Sequence, residues 1–378
     1  MRLIISGGGT GGHIYPAVTI AREVARLSGN CEILFVGTKH GLEADIVPKE
    51  GFAFATIEVR GLERRLSWQN IRTLFNTFGS VWSSVKIIKD FKPDVVIGTG
   101  GYVCGPVLLA ASLLRVPTMI QEQNVIPGIT NKILSRFVDK IAVGYKEAEP
   151  YFTKYKPDQI IFTGNPIRPE VMSAARDEGQ RALGLHPDKL TLLVVGGSRG
   201  ARSINNAMFE VYKHFNGSPH IQILHVTGQN EYNSIVSKIK QAGIDISSGG
   251  NISIEPYLYN MPLALAAADL GIFRAGAVGL AELTARGIPA ILIPYPYAAE
   301  NHQEFNARVL ERHGAATVIA DKELTGSKLI DAIEKLVKNP VVLSTMAEKS
   351  RESGRPQAAE AIARLALCLI KLQTNNKR

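Results

Sequence analysis

Short apolar runs rich in β-branched residues alternate with longer amphipathic stretches along most of the chain. In the first half the runs are LIIS from Leu3, EILFVG from Glu32, DVVIG from Asp94, TMIQ from Thr118 and KIAVG from Lys140. Between them lie PAVTIAREVARL from Pro16, the long segment Ser67 to Lys89, and PVLLAASLL from Pro106, which read as helices. A run without polar alternation is a strand covered on both faces. Strand, helix and strand in succession predict βαβ units and a parallel sheet.

After IIFTG at residues 160–164 and a break at Asn165-Pro166-Ile167-Arg168-Pro169, the rhythm restarts. A buried run from Leu192 to Val195 leads into Gly196-Gly197-Ser198-Arg199-Gly200 and then a helical pattern, repeating the device that opens the chain. IQILHVTG, LGIF, AILIPYP and ATVIA carry a second sheet forward. The predicted fold is therefore α/β, two tandem Rossmann-like domains over residues 1–165 and 166–350 with a crevice between them. Residues 351–378 supply a terminal helix expected to pack back towards the first domain, with the last residues fraying.

Composition narrows the class. A chain of 378 residues exceeds what one core usually serves, and 45% apolar with 20% charged residues is ordinary globular usage. Cys31, Cys104 and Cys368 are odd in number and far apart, which fits neither a disulfide framework nor a metal pattern, and each is expected to be a small buried hydrophobe. The N-terminus runs straight into a strand, and no stretch reaches the ~18 apolar residues of a membrane span. The expectation is a protein without signal peptide or transmembrane segment. Its net charge of +9 has to be located before it means anything.

The candidate chemistry lies in glycine loops. Gly7, Gly9 and Gly12 satisfy the G-x-G-x-x-G spacing, where backbone N–H groups and a helix N-terminus would meet an anion. A Walker loop is excluded, because the required Lys is missing. A dinucleotide loop needs an acidic residue at the end of the second strand, and that strand ends Val36-Gly37-Thr38. Three more loops follow strands: GTGGYVCGP over residues 98–106, GGSRGA, and FRAGAVGLAE over residues 273–282, in which Glu282 could reach ribose hydroxyls. Four such loops suit two diphosphate-bearing ligands better than one cofactor.

These motifs, in order, resemble the MurG-type family of undecaprenyldiphospho-muramoylpentapeptide N-acetylglucosaminyltransferases over nearly the whole chain. The matching stretches are GGGTGGHIYP, GTGGYVCGP, QEQN at residues 121–124, GNPIR at residues 164–168, GGSRGA, RAGAVGLAE and PYPYAAENHQEFNA. The resemblance implies a GT-B architecture that converts lipid I to lipid II in cell-wall synthesis, with UDP-GlcNAc held mainly by the second domain and the lipid-linked acceptor by the first. Its donor-site pattern falls on Thr10, Gly11, Gly12, Asn124, Arg168, Ser198, Leu258, Ala277, Val278, Gly279, Leu280, Ala281, Glu282 and Gln303. Ser198 and the Ala277 and Val278 amides would meet the diphosphate, Glu282 the ribose, Leu258 the uracil and Gln303 the sugar. Arg168 has an alternative role as a hinge salt bridge. Arg199 departs from the usual Gln of this loop and has no assigned contact. The acceptor diphosphate is expected at Gly9, Thr10, Gly100, Gly101 and Tyr102.

The family inverts configuration, so one base must deprotonate the acceptor 4-hydroxyl during in-line attack. His13 is the candidate, since it follows the loop and imidazole titrates near neutrality; as alternatives it caps the helix or only contacts the diphosphate, and Glu122 becomes the base. No D-x-D pair is present to clamp a divalent ion, so neither cofactor nor essential metal is expected. Between Arg60 and Lys92, seven cations face only Glu63 and Asp90, and Leu74, Phe75, Phe78 and Trp82 recur at helical spacing. This stripe is either core or a patch for anionic phospholipid of the inner leaflet. The resulting picture is a peripheral protein on the cytoplasmic face of the plasma membrane, with other cell-wall synthesis proteins as further partners and no nucleic-acid motif. Competing readings are another GT-B transferase with a lipid acceptor, a UDP-GlcNAc 2-epimerase and a nucleotide-sugar sensor without catalysis.

Overall fold

A computed structural model describes the chain except residues 60–68, 153–156, 198–199, 247–248 and 377–378; side chains of residues 69–78, 157 and 373–376 are also outside the description. Two compact units are formed, one from Met1–Ile167 with Gln357–Arg378 and one from Arg168–Pro356.

The first unit runs β1 (Arg2–Gly7), α1 (Gly11–Ser28), β2 (Glu32–Gly37), α2 (Glu43–Lys49) and β3 (Ala53–Thr56). It continues with α3 (Gln69–Phe91), β4 (Val95–Gly100), α4 (Cys104–Leu113), β5 (Thr118–Glu122), α5 (Ile129–Leu134), β6 (Lys140–Val143) and β7 (Ile160–Phe162). All the strands are parallel, in the order β3-β2-β1-β4-β5-β6-β7. Leu3, Ile4, Ile5, Val95, Val96 and Ile97 are fully buried, as runs without alternation require.

The second unit begins with α6 (Pro169–Ser173) and α7 (Arg176–Ala182), then β8 (Leu190–Val195), α8 (Arg202–Phe215), β9 (Ile221–Val226), α9 (Gln229–Gln241) and β10 (Ile252–Glu255). After α10 (Met261–Ala267) come β11 (Leu270–Phe273), α11 (Ala277–Arg286), β12 (Ala290–Leu292), α12 (His302–Arg312) and β13 (Ala316–Val318). Helices α13 (Gly326–Val337) and α14 (Pro340–Ser353) complete it. Its parallel sheet has the order β10-β9-β8-β11-β12-β13. The fold class is thus two Rossmann-like parallel sheets with covering helices.

The last helix, α15 (Ala358–Asn376), belongs to the first unit and packs on α1. Ile362, Ala363, Ala366 and Leu369 enter the same core as Ile14, Ala17, Val18 and Ala21. The helix continues through Asn376, past the point where fraying was expected. Cysteine placement also differs from expectation: Cys104 is buried, Cys31 half-buried and Cys368 exposed on α15. Among the described residues no helix is long and apolar enough to cross a membrane.

Candidate active site

Strand order reverses between β1 and β4 in one sheet and between β8 and β11 in the other. Loops leaving neighbouring strands at a reversal part to opposite faces and open a ligand crevice at the strand C-termini. All four glycine loops sit at these two positions. In the first unit Gly8 N donates to Gly100 O at 3.2 Å. A Cβ on Gly101, which has φ +87°, would come within 2.4 Å of the Gly8 carbonyl oxygen, so the two loops can approach only as glycine. Cys104 backs the second loop: its thiol donates to Ser6 O at 2.9 Å and accepts from Gly100 N at 3.2 Å. Burial pushes that thiol up to about 11, which keeps it neutral.

A carboxylate does reach the end of β2, although none follows the strand directly in sequence. Glu43, at the start of α2, is buried and accepts from Gly9 N at 3.0 Å, Thr38 N at 3.0 Å and Thr38 Oγ1 at 2.7 Å. Burial pushes its pKa up, but the Thr38 and Gly9 hydrogen bonds outweigh that and hold the carboxyl below its ordinary value. At the expected diphosphate site, the Gly9 amide donates to Glu43 and the Gly100 amide to Cys104. The amides of Gly11 and Gly12, in the first turn of α1, have no acceptor within the helix and remain the donors there.

His13 is half-buried in the first turn of α1, with Nδ1 2.9 Å from Gln123 Oε1. Thr99 Oγ1 donates to the His13 carbonyl at 2.8 Å. No side chain caps α1, so the capping role for His13 is not realised. Glu122, the alternative base, is held within its own loop. Its buried carboxylate already accepts from Asn124 N at 2.9 Å, Asn124 Nδ2 at 3.3 Å, Gly128 N at 3.1 Å and Asn131 Nδ2 at 2.8 Å. It shapes the loop that presents Asn124. Tyr102, beside Gly101, is exposed.

In the second unit, Ser198 and Arg199 lie outside the described residues. Helix α11 follows Gly276 with no side-chain cap and no acidic residue in its first turn, which leaves the Ala277, Val278 and Gly279 amides available to an anion. Leu280 N closes the first intrahelical bond, to Gly276 O at 3.0 Å, and Ala281 follows it. Glu282, buried on the second turn, accepts from Arg168 Nε at 2.9 Å. Arg168 therefore does form a salt bridge, and its partner is the proposed ribose ligand. Leu258 follows β10, half-buried between Tyr257 and Tyr259, whose rings pack edge-on at 4.8 Å. Gln303, in the first turn of α12, accepts from Tyr295 N at 3.0 Å.

Sequence reasoning passed over Arg274, although RAGAVGLAE contains it. Its Nη1 donates to Ile293 O and Pro294 O, each at 3.1 Å, and to Asp321 Oδ1 at 2.5 Å; Nη2 donates to Ser203 Oγ at 2.8 Å. One guanidinium thus ties together the segments after β8, β11, β12 and β13. Such a partner set is long-range, and no spacing in the sequence encodes it.

With this geometry in view, the comparisons with known proteins are specific. Residues 3–143 match the glycosyltransferase family 28 N-terminal domain and residues 191–362 its C-terminal domain. The protein is thus a glycosyltransferase of family 28. A UDP-N-acetylglucosamine–N-acetylmuramyl-(pentapeptide) pyrophosphoryl-undecaprenol N-acetylglucosamine transferase from Desulforamulus reducens is 52% identical over 372 residues, covering 98% of this chain and 99% of the relative. At that identity and coverage, the chain belongs to the same transferase family. The crystal structure of Acinetobacter baumannii MurG superposes with a TM-score of 0.75 at 27% identity, covering 97% of this chain and 99% of that one. A putative UDP-N-acetylglucosamine 2-epimerase from Listeria monocytogenes shares the fold, with a TM-score of 0.70 at 16% identity, covering 99% of this chain and 97% of its own.

Proposed function

We propose that this chain transfers N-acetylglucosamine from UDP-GlcNAc to the 4-hydroxyl of the muramyl sugar in lipid I, giving lipid II with inversion at C1. The observation that carries the catalytic part is His13, held by one ring nitrogen beside a pair of glycine loops at a sheet's switch point. The uncapped start of α11, with Glu282 one turn on, supports donor binding in the second unit: amides meet the diphosphate and the carboxylate meets the ribose hydroxyls. As UDP leaves, the same amides stabilise the charge that develops on it. His13 takes the proton of the attacking hydroxyl, and Gly11, Gly12 and Thr10 lie against the reacting sugars.

Attachment to anionic phospholipid on the cytoplasmic face of the membrane is the second part of this reading. Trp82 on α3 is 72% exposed; the side chains of Leu74, Phe75 and Phe78 lie outside the described residues. A second group supports the patch, with Ile129, Ile133 and Phe137 exposed on and just after α5 and Leu113 exposed at the end of α4. Ser112 Oγ, next to Leu113, donates to Phe137 O at 2.7 Å, which joins the two groups of exposed residues. Arg115 and Arg136 are exposed beside them.

One assay tests the activity. Labelled UDP-GlcNAc is supplied with lipid I, with diacylglycerol or with no acceptor, to the native chain and to His13→Ala. Transfer to lipid I alone, lost in the variant, is expected. UDP-ManNAc formed without acceptor would instead identify an epimerase. Turnover with both substrates soluble is expected to survive a chelator, and its abolition would overturn the metal-free reading.

A further inference from the structure

His13 ends a chain of buried side-chain amides whose direction is fixed by the backbone. Asn165 Nδ2 donates to the Gln123 main-chain carbonyl at 2.8 Å, which turns Asn165 Oδ1 towards Gln121 Nε2, at 2.9 Å. Gln121 Oε1 then faces Gln123 Nε2 and accepts from it. The same Gln123 nitrogen donates to the carbonyls of Thr99 at 2.7 Å and Gln121 at 3.0 Å. Carbonyl oxygens only accept, so the nitrogen end of Gln123 is set without reference to His13. Its oxygen end lies 2.9 Å from His13 Nδ1. An amide oxygen also only accepts, and the ring proton must therefore sit on Nδ1. Asn165, Gln121 and Gln123 are all buried, where such a chain of dipoles polarises its members cooperatively.

We infer that Gln123 is a positioning residue that holds His13 as the Nδ1–H tautomer and leaves the Nε2 lone pair for the acceptor hydroxyl. The inference rests on His13 being the base proposed above. In the step itself the bond from the acceptor oxygen to C1 forms, the C1–O bond to UDP breaks with its electron pair, and the hydroxyl proton passes to Nε2. The imidazolium keeps its Nδ1–H on Gln123 Oε1. The amide oxygen keeps accepting that hydrogen bond while the ring carries the charge. Free imidazole has no such constraint on its tautomer.

The test uses the full chain labelled with 15N-histidine, with the His13 signals assigned by their loss in His13→Ala. Two-bond 1H–15N spectra at alkaline pH are expected to show a protonated Nδ1 and a bare Nε2. In Gln123→Leu the Nε2–H form should appear, kcat with lipid I should fall at least about tenfold, and the KM for UDP-GlcNAc should stay within about twofold. Gln123→Glu, which keeps an oxygen opposite Nδ1, should restore the Nδ1–H pattern. An Nε2–H tautomer in the native chain would overturn the inference even if Gln123→Leu failed to fold. So would native kcat in a folded Gln123→Leu. Survival of turnover in His13→Ala would instead sink the base assignment, leaving the tautomer measurement to stand alone.

Discussion

Glu43 and Glu282 are buried carboxylates used to different extents by the chain's own groups. Glu43 spends its two oxygens on the loops after β1 and β2, and removing it strands the Gly9 and Thr38 amides. Glu43→Ala should cost roughly 1.5 to 3 kcal/mol in urea denaturation, the range for losing hydrogen bonds to a charged group, because the Gly9 and Thr38 donors it frees are partly open to water. Glu282 has one partner in Arg168 and oxygen capacity to spare for a ligand. Glu282→Gln is expected to raise the KM for UDP-GlcNAc at least about tenfold, the equivalent of one charge-assisted hydrogen bond of ~1.5 kcal/mol or more. An unchanged KM would remove Glu282 from the donor site.

At the level of elements, the strands were plain in the sequence because a run covered on both faces leaves no choice of period. The glycine loops were plain too, and all four leave strands where the order of a sheet reverses. What the sequence hid was long-range. Glu43 reaches the end of β2 from the following helix, and Arg274 binds segments far apart in the chain. Residues that face one another only after folding leave no periodic trace. The patch on α5 was hidden for a different reason: Ile129 and Ile133 at helical spacing look like core, and only their exposure in the fold distinguishes them. If that face meets lipid, Ile133→Ser with Phe137→Ser should weaken binding to anionic vesicles severalfold while turnover on soluble substrates stays native. Equal vesicle binding by the folded double variant would assign the patch another purpose.

Across the whole molecule, the two units carry separate sources of stability. His225, buried on β9 against Tyr212, is pushed by burial down to about 3. Its unfolded value is near 6.5, so the unfolded chain takes up a proton that the folded unit refuses. That contribution is complete above about pH 6.5 and drains away as pH falls towards 3. The urea midpoint by circular dichroism should therefore fall more steeply on acidification in the native chain than in His225→Gln, and parallel slopes would contradict this. The first unit depends instead on α15. Both tryptophans, Trp68 and Trp82, belong to residues 1–167, so indole fluorescence reports that unit selectively. Deleting residues 357–378 should shift the fluorescence transition to lower urea by several kcal/mol, given about 1.5 to 3 for each buried Ile or Leu lost.

The docking of α15 on α1 also sets a schedule. Synthesis runs from the N-terminus, and roughly 350 residues separate Ile14 from Ile362. At about 5 to 20 residues per second, the nascent chain carries the bare apolar flank of α1 for roughly 20 to 70 seconds. The domain translated first is thus the last to be sealed, and a ribosome that stalls late releases a product whose defect lies at its opposite end.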